Sequence, residues 1–237
     1  MVASIYTPAE ENKAIWVYLE HENGALENVS LEMLAKARQL ADQAGWPVVG
    51  LLLGNGIREL GEQAIAHGAD EVRLAVHPLL EHFTIEAYAH VAYQALLEAK
   101  PGVFLLGATP NGRDLAGRLA VRLRTGLNAD CTQLRLDPEA DVLICEVSGF
   151  GGGVLALIEM KHHRPQMATV RPGVFNALVP DPNRAGDVVP IPLDLTEDMI
   201  HTRVVERVTG EGVDISRADV LVAGGRGIEG MLNHSRP

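Results

Sequence analysis

Val48-Val-Gly-Leu-Leu-Leu53 is apolar at every position. A strand of that kind has both faces covered. This is the condition of a parallel sheet, whose crossover helices lie on its two sides. The flanking sequence agrees. Arg58–Ala66 has a helical pattern closed by Gly68, and Glu71–Val76 reads as the next strand. Upstream, Ala14–Leu19 is a strand, and Ser30 is placed to cap a helix running to about Ala44, with Gly45 ending it. Downstream, Thr84–Ala99 is a helix with Pro101 just past its end, and Val103–Leu106 is a fourth strand. Strands recur at roughly 30-residue spacing, the period of βαβ units. The pattern predicts an α/β chain with a three-layer, α/β/α, Rossmann-like architecture and a mostly parallel sheet.

After Gly126 the texture changes. Thr132–Leu136, Val142–Val147, Val154–Met160 and Met167–Val170 are strand-like, close together and separated by Gly or Pro. They predict added C-terminal strands that extend or cover the sheet edge. Pro172 to Pro192 is rich in Pro and Asp and is expected to wrap the surface. Thr202–Thr209 reads as a last strand before Gly210-Glu-Gly212. The chain divides into an α/β domain over residues 1–210 and a short segment over residues 211–237. That segment holds an apolar strand, Ala218–Gly224, running into Gly225-Arg-Gly-Ile-Glu-Gly230. This is a G-x-G-x-x-G, the turn that lets a backbone approach a pyrophosphate. Pro237 follows seven residues later, too soon for the helix that completes a dinucleotide site.

Composition narrows the function. Apolar residues make up 47% and aromatics 4% of 237 residues, so aliphatic side chains build the core. The net charge of −11 argues against nucleic acid or an anionic membrane as partner. The N-terminus lacks a basic region followed by an apolar one, and no apolar run is long enough to span a bilayer. A soluble, cytoplasmic protein is expected. Cys131 and Cys145 make no disulfide framework and no C-x-x-C, so buried free thiols are expected. The histidines, among them His162 and His163, lack metal-binding spacing, so no metal site is expected. No serine lies in a G-x-S-x-G elbow. The pairs Glu10 with Glu11 and Glu20 with Glu22 read as solvated surface.

Two stretches remain. Gly107-Ala-Thr-Pro-Asn-Gly-Arg113-Asp114 lies between the fourth strand and a helix, where α/β sheets bind ligands. The helix carries Arg113, Arg118, Arg122 and Arg124. It offers either an anion or partner contact at its start, or a solvated face with Asn111 as cap. In the second, Arg164-Pro and Arg171-Pro bracket a five-residue strand. Each proline holds the arginine before it extended. Their odd spacing puts the two on opposite strand faces, so one arginine serves a site while the other braces the fold, or both are structural.

Three blocks together resemble the electron transfer flavoprotein alpha subunit: Gly107–Arg118 continuing through Thr125–Thr132, Arg164–Gly173, and Ala218–Gly227. The resemblance covers the chain from Ala14 onward. It implies an adenine nucleotide alpha hydrolase-like N-terminal domain that packs on a beta subunit, and an FAD-binding domain that begins at Gly224-Gly-Arg-Gly227. It implies that FAD passes electrons from a flavin dehydrogenase, and that Arg226, between Gly225 and Gly227, contacts FAD. Arg164 and Arg171 are carried as further cofactor contacts. Because the flavin-holding segments of the family lie past Pro237, the chain alone is expected not to retain FAD. Val147 stands where the family carries an arginine, and Gly153 where it carries asparagine. A missing guanidinium removes a fixed donor for a reduced flavin, which argues against electron bifurcation. Gly117 replaces a usual proline. Two other readings stay open: an FAD-free interaction module for a beta-type subunit, and an unrelated nucleotide-using α/β enzyme. The second is disfavoured because the first strand leads into acidic Glu20-His-Glu-Asn-Gly24, which repels phosphate.

Overall fold

The structure is a computed structural model that describes residues 4–149, 152–202, 204–206, 218, 220–225 and 227. Residues 1–203 form one unit and residues 204–237 a second. In the first unit, strands and helices alternate as β1 (Asn12–Leu19), the two-residue strands β2 (His21–Glu22) and β3 (Ala25–Leu26), α1 (Asn28–Ala44), β4 (Val48–Gly54), α2 (Arg58–Ala66), β5 (Glu71–Val76), α3 (Ile85–Ala99), β6 (Pro101–Gly107) and α4 (Pro110–Leu123). Six more strands follow: β7 (Leu127–Cys131), β8 (Gln133–Asp137), β9 (Val142–Gly149), β10 (Val154–Glu159), β11 (Gln166–Val170) and β12 (Asp187–Pro190).

Seven strands form the central sheet in the order β12-β5-β4-β1-β6-β11-β7, and every pairing is parallel. All seven residues of β4 are buried. One core lies under α1 and α2, built from Ile15, Val17, Leu34, Leu40, Leu52 and Val72 among others. The other lies under α3 and α4, with Trp16, Leu51, Leu53, Phe104, Leu115 and Leu119. Alternate residues of β1, β4 and β6 feed alternate cores, which is why these central strands have no polar face. The three-layer α/β/α reading of the sequence therefore holds.

The added strands do not all go to the edge. Gln166–Val170 enters the sheet as β11, between β6 and β7, and is wholly buried. Five buried residues in a row already mark an interior parallel strand; the short connections around it hid that. Strand β7 was not foreseen, because Leu127-Asn-Ala-Asp-Cys131 has little apolar periodicity. Strands β8, β9 and β10 form a separate antiparallel sheet in the order β10-β9-β8. The Pro-rich stretch after Pro172 contributes β12 beside β5. Pro190 is tolerated there because an edge strand has one side that needs no backbone donor. Helix α1 starts at Asn28 after Glu27, so Ser30 lies inside it rather than capping it.

In the second unit, the expected strand at Ala218–Gly224 is absent from its described residues, and Val220, Leu221 and Val222 are exposed at 80%, 61% and 93%. A strand needs a neighbour for its N–H and C=O groups, and no described strand pairs with this one. Of Thr202–Thr209, residues 202 and 204–206 are described and are not strand; the others lie outside the described residues, as does the Gly210–Gly212 turn.

Candidate functional site

The chain leaves β1 toward β4 and β5 on one side of the sheet, and β6, β11 and β7 lie on the other. The order reverses between β1 and β6, and the crevice beyond the carboxyl ends of such a pair is where open α/β sheets take ligands. Glu20 follows the last residue of β1 and is only 8% exposed. The solvated role read for it from the sequence is therefore corrected. Its N–H donates to Ser30 Oγ at 2.7 Å, and Ser30 Oγ donates back to its carbonyl at 3.0 Å. Thr109 Oγ1 lies 2.8 Å from both carboxylate oxygens. The same oxygen accepts the N–H of Gly112 at 2.9 Å. Thr109, not Asn111, is thus the N-cap of α4. Burial pushes the Glu20 carboxyl up to about 7 against the lowering effect of Thr109, and the nearby charge of Glu27 adds to the rise. Nothing in the sequence alone separates Glu20 from Glu22 except its place directly after an all-apolar strand.

Further along the same sheet edge, Arg171 follows β11 and donates to Asp130 Oδ2 at 2.6 Å. Arg113, in the first turn of α4, donates to Asp130 Oδ1 at 3.0 Å. The hydrogen bond from Arg171, then the remaining pull of both guanidiniums, holds the Asp130 carboxyl below its usual range. Glu32 of α1 accepts from Asn28 at 2.6 Å and from the N–H of Gly173 at 2.9 Å, tying the segment after β11 to the first helix.

Arg164 lies at the other end of β11 and is 1% exposed. It pairs with Glu11, whose side chain is 2% exposed. Glu11 is therefore no surface carboxylate either. The guanidinium of Arg164 also donates to the carbonyls of Met160, His163 and Asp141 at 3.2, 3.0 and 3.2 Å. It is engaged in full by its own chain. Of the candidate contacts, the structure brings Arg171 to the carboxyl edge of the sheet and Arg164 to the amino edge; they do not converge. Gly225 and Gly227 belong to the second unit, and Arg226 lies outside the described residues.

Two clefts of about 430 and 350 Å³ open near Glu98 and Pro192. The second is lined by Asn12, Ala14, Glu71 and Arg73, the beginnings of β1 and β5, so it lies at the end of the sheet opposite the crevice. Among the described residues no cluster of His, Cys, Asp and Glu could hold a metal. Both cysteines are buried and free. No described helix is long and apolar enough to cross a membrane.

The antiparallel sheet presents a different surface. All six residues of β10 are exposed, with Val154, Leu155, Leu157 and Ile158 at 50%, 58%, 58% and 37%. Successive side chains of a strand point to opposite faces. Among the described residues, both faces of β10 are thus open, and so is its outer edge.

Residues 15–196 match the electron transfer flavoprotein domain family. The chain belongs to the electron transfer flavoprotein family. Its relatives place it on the alpha side. It is 42% identical over 228 residues to an electron transfer flavoprotein subunit alpha of Clostridium acetobutylicum, covering 94% of this chain and 68% of the relative. It is 44% identical over 220 residues to the subunit alpha of Megasphaera elsdenii, covering 92% and 65%. A protein named FixB from Clostridium saccharobutylicum is 43% identical over 226 residues, covering 93% and 66%. The chain spans about two thirds of the length of these relatives.

The family is associated with FAD. Of the segment expected to contact it, Gly225 and Gly227 are described, while Arg226 and residues 228–237 lie outside the described residues. Among the described residues, nothing lies within 4 Å of a Cβ added at Gly225 or Gly227. Val147 of β9 packs against the core under α1, and Gly153 is exposed.

Proposed function

We propose that this chain serves as the partner-binding domain of an electron transfer flavoprotein alpha subunit in a cytoplasmic complex. It docks on a beta-type subunit, and the assembled protein carries electrons from a flavin dehydrogenase through FAD. The observation that carries the reading is β10. A strand with five apolar residues in a row, uncovered among the described residues on both faces and at its edge, is unstable against aggregation unless a partner takes it. In a family that works as subunits, the partner of first choice is the beta subunit. The docking role needs no flavin in this chain, so the chain alone is expected to purify without stoichiometric FAD. Gly225, Arg226 and Gly227 remain the proposed start of the flavin-contacting segment. Of the two strand-flanking arginines, Arg171 is the one with a free face toward a ligand or partner. With Val147 in place of an arginine, we propose simple electron carriage rather than bifurcation.

Co-expression with an electron transfer flavoprotein beta subunit, followed by size-exclusion chromatography, tests the reading. A stable complex is expected. A well-folded monomer that ignores the beta subunit would overturn it. Absorbance of the purified chain tests the flavin statement separately, and a stoichiometric flavin band would refute that statement alone. The FAD-free interaction module shares the docking prediction and is distinguished by a complex that forms yet carries no electrons.

A further inference from the structure

The sequence Gly107-Ala-Thr-Pro-Asn-Gly112 joins a parallel strand to a helix at the point where the strand order reverses. Two glycines at such a turn ordinarily leave room for an anionic ligand against the helix N-terminus. Here the room is taken. A Cβ at Gly107 would come 2.6 Å from Val29 Cγ2 and 3.2 Å from Glu20 Oε1, and a Cβ at Gly112 would come 2.1 Å from the Gly107 carbonyl oxygen and 3.0 Å from Glu20 Oε1. Thr109 Oγ1 lies 2.8 Å from both oxygens of that carboxylate. We infer that Glu20 is a built-in anion: its carboxylate fills the phosphate position of the crevice between β1 and β6 and closes this domain to nucleotides and free phosphate.

The donors of the turn support this assignment. Pro110 has no N–H to offer a ligand. The N–H of Gly112 is already bound by Thr109 Oγ1. The Thr109 hydroxyl in turn faces the carboxylate, so the positive end of α4 is relayed through one hydroxyl to Glu20. The backbone of Glu20 is clamped on both its N–H and its carbonyl by Ser30, which fixes where the side chain starts. The carboxyl is buried, and at pH above about 7, where it is ionised, an entering phosphate would meet a like charge in a poorly solvated place. The space beside the two glycines is therefore filled by the chain itself, by Val29, the Gly107 carbonyl and the Glu20 carboxylate.

The test uses inorganic phosphate and AMP as probes, titrated into the full chain and followed by backbone amide NMR at Gly107, Ala108, Thr109, Asn111 and Gly112. The wild-type chain is expected to show no saturable shift there. Glu20→Ala removes both the charge and the plug and is expected to bind phosphate about tenfold tighter or better, because it opens the space that the side chain fills. Glu20→Gln removes the charge and keeps the plug, and is expected to stay closed. Should Glu20→Ala fail to fold, Glu20→Ser carries the same expectation. Saturable binding at these amides in the wild-type chain would overturn the inference, as would a folded Glu20→Ala or Glu20→Ser chain that gains no affinity.

Discussion

Arg164 and Arg171 stand at the two ends of the same buried strand and meet opposite fates. Arg164 is sealed with Glu11 under the sheet's amino edge. Arg171 is half exposed on Asp130 at the carboxyl edge. The sequence pairs them as two Arg-Pro steps. The fold separates them by the length of β11, about 3.3 Å per residue, and leaves them at opposite edges of the sheet.

That difference gives a first prediction. Arg164→Ala leaves the Glu11 carboxylate buried without its partner and is expected to cost about 3–5 kcal/mol of stability. Arg171→Ala breaks an exposed pair and is expected to cost under about 1 kcal/mol. Urea unfolding of the two variants measures both. Equal losses would contradict the buried and exposed roles assigned here.

Glu20 makes stability depend on pH in an unusual direction. Its folded pKa is raised to about 7 from 4.5, so the native state binds the proton more tightly than the unfolded chain. Stability from this group is therefore greatest below the unfolded value and falls as pH rises through the folded one. The loss amounts to about 3 kcal/mol between pH 4.5 and 7 if the full shift is expressed. Glu20→Gln should flatten this part of the curve and gain on the wild-type chain as pH rises. Thermal unfolding across that window decides, and parallel curves for the two proteins would refute it.

Two glycines of α4 and its entry turn should respond in opposite ways to alanine. At Gly112 a Cβ would stand 2.1 Å from the Gly107 carbonyl oxygen, a backbone atom that cannot step aside. Gly112→Ala is expected to cost about 1–3 kcal/mol and to loosen the Thr109 cap. At Gly117, inside the helix, a Cβ meets nothing within 4 Å. Gly117→Ala is expected to add about 0.5–1 kcal/mol through helix propensity. Circular dichroism melts of both variants provide the check.

The exposed strand predicts separation of folding from assembly. Leu155 and Leu157 are each 58% exposed, on the same face of β10. Leu155→Lys with Leu157→Glu should leave the melting temperature of the isolated chain nearly unchanged. The same pair should weaken a complex with a beta subunit at least about a hundredfold, as loss of a central apolar contact does. An unimpaired complex would place the interface elsewhere.

Much of the scaffold is legible in the chain itself. The all-apolar run at Val48–Leu53, the helix at Arg58–Ala66 and the strand at Glu71–Val76 stand where their residues predict. Local periodicity and the glycine stop at Gly45 carry that information, because secondary structure and burial on two faces are written in neighbouring residues. Tertiary structure alone decided that Gln166–Val170 slips between β6 and β7, because strand order is set by contacts between distant segments. It also decided the state of the acids. Glu11, Glu20 and Glu22 look alike in sequence, yet Glu11 is buried on Arg164 and Glu20 on Thr109. Desolvation depends on what packs around a carboxylate, and that surrounding comes from residues nearly ninety positions away for Glu20 and more than a hundred and fifty for Glu11.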